Sequence, residues 1–138
     1  SGMQYSAAGQ GKLAHIARYD LARAAASVLA SDKGGKNTYT LSGAKEFTTD
    51  EIAKLVSAAT GKPLKVVHVP VEGLLQGMIG AGLPEVMAKM FASVDVNTAQ
   101  GGLNGTSADF KALTGVEPHS FEDWLKKNVA AFYAPAAH

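Results

Sequence analysis

GQGKLAHIARYDLARAAASVLAS, from Gly9 to Ser31, decides the fold. Between Lys12 and Ala17, Leu13 and Ile16 alternate with small and polar neighbours in a weakly strand-like way. Asp20 then opens a helix, because a carboxylate accepts the orphan backbone donors of a first helical turn. Leu21, Ala25, Val28 and Leu29 share one helical face, and the intervening alanines keep the surface low enough to lie against a sheet. A strand running into such a helix is the unit from which α/β folds are built.

Working outward, residues 32–36 end the helix and TYTLSG, Thr38 to Gly43, is β-rich and bounded by turn residues, which predicts a strand. Thr48 with Glu51 forms a capping box, and Ile52, Leu55, Val56 and Ala59 mark a helix that stops at Gly61. KVVHVP, Lys65 to Pro70, predicts a further strand closed by a proline. Val71 to Ile79 and Pro84 to Val94 each carry a helical apolar stripe and are expected to pair as a hairpin over the strands. DVNTAQGGLNG, Asp95 to Gly105, has no period and predicts a mobile loop. Thr106 or Ser107 caps a short helix ending at Gly115, and Ser120 with Asp123 starts a last one carrying Phe121, Trp124 and Leu125. The expected fold class is α/β, about three short strands with five helices. Residues 4–133 are expected to form one domain, 1–3 to be a cloning scar and start, and 134–138 to be a frayed tail.

Composition bounds the function. The chain has 138 residues, enough for a core. It has no Cys, which removes disulfides, thiolate metal sites and a Cys nucleophile, and fits a reducing cytoplasm. The 13 basic and 12 acidic residues are interspersed, leaving no basic stripe for nucleic acid. No apolar run reaches the roughly 20 residues of a membrane span, so a cytoplasmic protein away from the membrane is expected.

Few motifs survive their structural context. Gly9, Gly11 and Ala14 match G-x-G-x-x-A, yet no strand is read before Gly9 and a strand-like segment follows, so a plain glycine turn is the reading. Ser42 and Lys45 spell S-x-x-K in a loop without companion motifs. None of Tyr5, Tyr19, Tyr39 and Tyr133 is followed by Lys four residues on, which removes that proton relay and leaves no catalytic residue assigned. His15, His68, His119 and His138 are too scattered for a metal site. His119 reads as structural; His68 is kept as a pocket candidate. Arg18 is either paired with Asp20 or simply solvated, or it meets a phosphate or carboxylate in a cleft with its forked donors.

AAGQGKLAHIARYDLARAAA, GKNTYTLSG, the Thr48 to Gly61 helix, GLPE from Gly82, DVNTAQGGL and LTGVEPHSFEDWL occur in an order and spacing that resembles the substrate-side region of NmrA-like atypical short-chain dehydrogenases, most closely the type 2 NAD(P)H quinone oxidoreductases. The resemblance implies a Rossmann half that binds NADPH and is missing here, with no cofactor expected for this chain by itself. It implies that Arg18 lies near that cofactor, and that His68, Leu75, Met78, Met87 and Phe91 are substrate-pocket candidates. It implies an open edge at the Thr38 to Leu41 strand and an uncovered Ala-rich helix face, hidden by homo-oligomerisation or by the missing half. Two functions follow as expectations: a quinone-reductase lobe inactive alone, or a stand-alone module binding a small apolar ligand, such as a quinone, or a protein.

Overall fold

A computed structural model describes residues 2–32 and 34–133. The expected tail, His138 and Ser1 lie outside the described residues. The elements run β1 (Met3–Ser6), β2 (Lys12–Leu13), α1 (Arg18–Leu29), β3 (Phe47–Thr48), α2 (Thr49–Thr60), β4 (Lys65–His68), α3 (Val71–Gly80), α4 (Glu85–Ala99), α5 (Asp109–Thr114) and α6 (Phe121–Asn128), then a 3-10 turn. The fold is α/β as expected, and each of the six helical stretches read along the sequence forms a helix. The elements group into two compact units, the first built from the residues before 14 and 47–104, the second from 14–46 and 105 onward.

In the first unit β1 pairs with β4 in parallel, Met3 opposite Lys65 through Ser6 opposite His68, and β2 pairs antiparallel with β3. A strand therefore does precede Gly9, contrary to the sequence reading; β1 is four residues long and has too little alternation to stand out. The Lys12 to Ala17 strand shortens to two residues. The capping box forms as expected: Glu51 N–H donates to Thr48 Oγ1 at 3.2 Å and Thr48 N–H to Glu51 Oε2 at 2.8 Å. Gly61, at φ 68°, ends α2 in the left-handed conformation that glycine adopts most cheaply. Thr48→Ala is expected to lower the unfolding free energy by about 1 kcal/mol, measured by urea denaturation.

Helices α3 and α4 pack together. At the start of α4, Glu85 lies 2.6 Å from Lys89, whose hydrogen bond and charge hold the exposed carboxyl below its usual range. Helix α4 runs through Asp95 to Ala99, where a loop was expected. The reason is tertiary: Asp95 Oδ2 accepts from Ser6 Oγ at 2.9 Å and Ala7 N–H at 2.7 Å, while Thr98 is buried and donates to the Val94 carbonyl. Those bonds outweigh the poor helix propensity of Asp, Asn and Thr. Gly11 sits beside the end of this helix, where any Cβ would run into the Thr98 carbonyl, so its lack of a side chain serves chain packing.

In the second unit α1 begins at Arg18 and its N-cap, Ala17, offers no side-chain acceptor, so Asp20 is not the cap the sequence suggests. Asp20 and Ala24 are the buried positions of α1, whereas Leu21 and Leu29 are exposed. The helix is thus turned away from its expected apolar face, because Asp20 has a partner inside. Helix α1 packs on α5, whose Phe110 is 1% exposed and, with Leu125 at 2%, centres the core of this unit. The Thr38 to Gly43 segment forms no strand. Its polar groups bond elsewhere: Thr40 N–H donates to Asp109 Oδ2 at 2.7 Å, Ser42 Oγ accepts from Ser107 N–H at 2.8 Å, and Gly43 N–H donates to the Ala14 carbonyl at 3.2 Å. The open edge expected at Thr38 to Leu41 therefore does not exist. β-propensity without a ladder partner does not make a strand. Among the described residues no helix is long and apolar enough to cross a membrane.

Candidate functional site

The second unit contains a cleft of about 760 Å³, walled by residues 15–19 on one side and by residues from 119 to 128 on the other. Local sequence positions both walls. Ser120 Oγ accepts from Asp123 N–H at 3.1 Å and so fixes the first turn of α6. Leu125 then turns into the core, which leaves Phe121, Trp124 and Lys127, three residues apart, along the cleft side of the helix.

The floor is aromatic. Phe121 and Trp124 stack with ring centroids 6.3 Å apart and planes 10° from parallel, and His15 lies 5.5 Å from Phe121. Tyr19 meets His119 edge-on at 6.0 Å. His119 is held twice by one buried carboxylate: Asp20 Oδ2 accepts its backbone N–H at 2.8 Å, and Asp20 Oδ1 lies 2.8 Å from its Nδ1. Asp20 is 1% exposed. With Nδ1 engaged, Nε2 is the ring nitrogen left for a ligand. Flat apolar surface with a few fixed polar groups is the usual make-up of a small-molecule site.

Arg18 lines this cleft at the first position of α1. Asp20 is taken by His119, so the Arg18 to Asp20 pair, one of the alternatives, is not formed. The other pocket candidates lie in the first unit. His68 Nε2 is 2.9 Å from Asp50 Oδ2, an exposed pair of β4 and α2. Leu75 and Met78 are half-buried on α3, and Met87 and Phe91 are exposed on α4 at 43% and 45%. The structure thus brings Arg18 together with His119, Phe121 and Trp124. His119, read as structural, is held by Asp20, and it shares the cleft with Phe121 and Trp124, which the sequence reading gave only as residues of the last helix; the Phe121, Trp124, Lys127 spacing was the available signal for the cleft.

The cofactor loop does not fit. Gly11 is filled against Thr98, Lys12 enters β2, and α1 starts only at Arg18, so the G-x-G-x-x-A stretch offers no phosphate cradle. Ser42 of S-x-x-K is buried and donates to the Gly43 carbonyl. Among the described residues no group of three His, Asp or Glu could hold a metal ion.

No protein-family model matches the chain. It is 29% identical over 130 residues to an NAD(P)H azoreductase of Xenophilus azovorans, covering 94% of this chain and 46% of that protein. Its structure is similar to the triphenylmethane reductase of Citrobacter sp. complexed with NADP(H), at TM-score 0.83 and 29% identity over 91% of this chain and 44% of that one. It is equally similar to an NADPH-dependent quinone oxidoreductase of Escherichia coli complexed with NADPH, at TM-score 0.84 and 28% identity over 96% and 46%. The chain spans about half the length of each of these relatives or a little less. Over most of its length the chain is similar to part of several NAD(P)H-dependent reductases, quinone oxidoreductases among them, as the NmrA-like resemblance implies.

Proposed function

We propose that this chain is the acceptor side of an NAD(P)H-dependent reductase whose substrate is a flat aromatic acceptor such as a quinone, and that it does not turn over alone. The observation that carries the reading is the cleft floored by stacked Phe121 and Trp124, with His119 fixed by Asp20 at its wall. The aromatic floor stacks the acceptor and excludes water from one of its faces, so the chain contributes positioning to the reduction. The described residues hold no dinucleotide cradle, and we assign hydride delivery to a Rossmann half in the same polypeptide or a separate chain. The two-stranded parallel β1–β4 pair supports that partner, since parallel strands rarely stand as an isolated pair. A second copy of the chain is the other partner considered.

One observation favours a non-enzymatic binding module instead. Met87, Met90, Phe91 and Val94 recur at i, i+3, i+4 and i+7 on α4 and are all exposed. A thermal-shift titration separates the readings. Binding to the folded state raises Tm by mass action, so 2-methyl-1,4-naphthoquinone is expected to raise Tm with dose and NADPH alone to leave it unchanged. No shift with the quinone defeats the acceptor-side reading, and a shift with NADPH shows a dinucleotide site on this chain.

A further inference from the structure

We infer that the cleft takes an aromatic anion, a flat ring system carrying a sulfonate, carboxylate or phosphate. This rests on the reading of the cleft as a ligand site and narrows its chemistry. Arg18 and Lys127 both line the cleft, and among the described residues no Asp or Glu does. Neither cation is paired with a carboxylate among the described residues. Of the acids on the same helices, Asp20 is buried on His119, Asp123 lies 3.9 Å from Lys126, and Glu122 is not among the residues lining the cleft. The chain as a whole carries a net charge of only +1, so the excess is local to this cleft. Two cations beside an aromatic floor favour an anion over a neutral ligand with the same rings. The guanidinium adds a fork that matches a planar or tetrahedral oxyanion, while Phe121 and Trp124 accept the rings.

The source of such an anion is either an anionic acceptor or a nucleotide, and a pair of probes tests the shared chemistry first. The full chain is titrated with 8-anilinonaphthalene-1-sulfonate and with N-phenyl-1-naphthylamine, which has the same rings and no sulfonate, and Trp124, the single tryptophan, reports by energy transfer. The sulfonate is expected to bind about tenfold tighter at low salt, with the advantage shrinking as salt approaches physiological strength. Arg18→Gln and Lys127→Gln are each expected to weaken the sulfonate about fivefold and to leave the neutral probe within about twofold. Arg18→Lys, which keeps the charge and loses the fork, recovers part of the loss. Displacement by NADPH or by 1,2-naphthoquinone-4-sulfonate then identifies the source: either supports an aromatic anion, and displacement by NADPH also defeats the expectation that NADPH leaves Tm unchanged. Equal affinity for the two probes, or equal loss of both in the variants, overturns it. If 2-methyl-1,4-naphthoquinone displaces the neutral probe while the sulfonate has no advantage, this inference falls and the acceptor-side reading stands. If neither probe binds, both fall.

Discussion

Asp20→Ala is expected to cost about 3 kcal/mol of unfolding free energy and to lower Tm by about 10 °C. Asp20 is 1% exposed, so its carboxylate has no water to fall back on. It supplies the acceptor for both the backbone N–H and the ring Nδ1 of His119, each at 2.8 Å. Removing it orphans a backbone donor 99 residues away in the chain and opens a void under the first turn of α1. Leaving a buried partner unsatisfied costs more than the bond contributed. Asp20→Asn keeps one acceptor oxygen and is expected to cost less. His119→Ala should cost least, about 1 kcal/mol, since its side chain is 40% exposed and the backbone bond to Asp20 survives. Urea denaturation of the three variants checks the order. An Asp20→Ala variant no less stable than His119→Ala would show that the backbone bond carries nothing. The same variant frees the His119 wall, so binding of an aromatic probe in the cleft should weaken as well.

What could be read from the sequence and what could not divides by range. The capping box of α2 and the Ser120 cap of α6 are contacts within three residues, and both form where their letters stand. The Val71 and Pro84 helices follow from periodicity carried by their own side chains. Asp20 misled because its carboxylate is the right group for a cap, yet its partner lies across the chain at His119. Asp95 and Thr98 misled in the same way, since bonds from Ser6 and Ala7 draw α4 on past its apparent end. For the site, Arg18 was reached through family resemblance, and its freedom from Asp20 is visible only once His119 is placed. The α6 aromatics were legible as a helix face, and which face of α6 meets the core was settled by Leu125.

Gly43→Ala is expected to destabilise the chain by about 3 kcal/mol, although the residue replaces glycine in a loop. Gly43 is not among the glycines with positive φ, so alanine meets no backbone strain there. Restricting the unfolded chain would by itself favour alanine by roughly 0.4–1 kcal/mol. The close approach decides the sign. A Cβ at Gly43 would run into the backbone carbonyl of His15, and the Gly43 N–H to Ala14 carbonyl bond holds the two segments together at 3.2 Å. A flexible side chain could move aside, but a carbonyl moves only with its chain. The 14–15 segment leads directly into the cleft wall of residues 15–19, so the substitution acts on the site as well as on stability. Gly77→Ala in exposed α3 is the control: no atom lies within 4 Å of its Cβ, and replacing a helical glycine is expected to stabilise by about 0.5–1 kcal/mol. The pair is measured by urea denaturation and by titration of 8-anilinonaphthalene-1-sulfonate. Opposite signs in stability, with probe binding lost only in Gly43→Ala, tie the TYTLSG segment to the cleft through a single backbone contact. Matching signs would mean that the 14–15 segment yields to a methyl group, and that the wall it supports is soft enough to be shaped by its ligand.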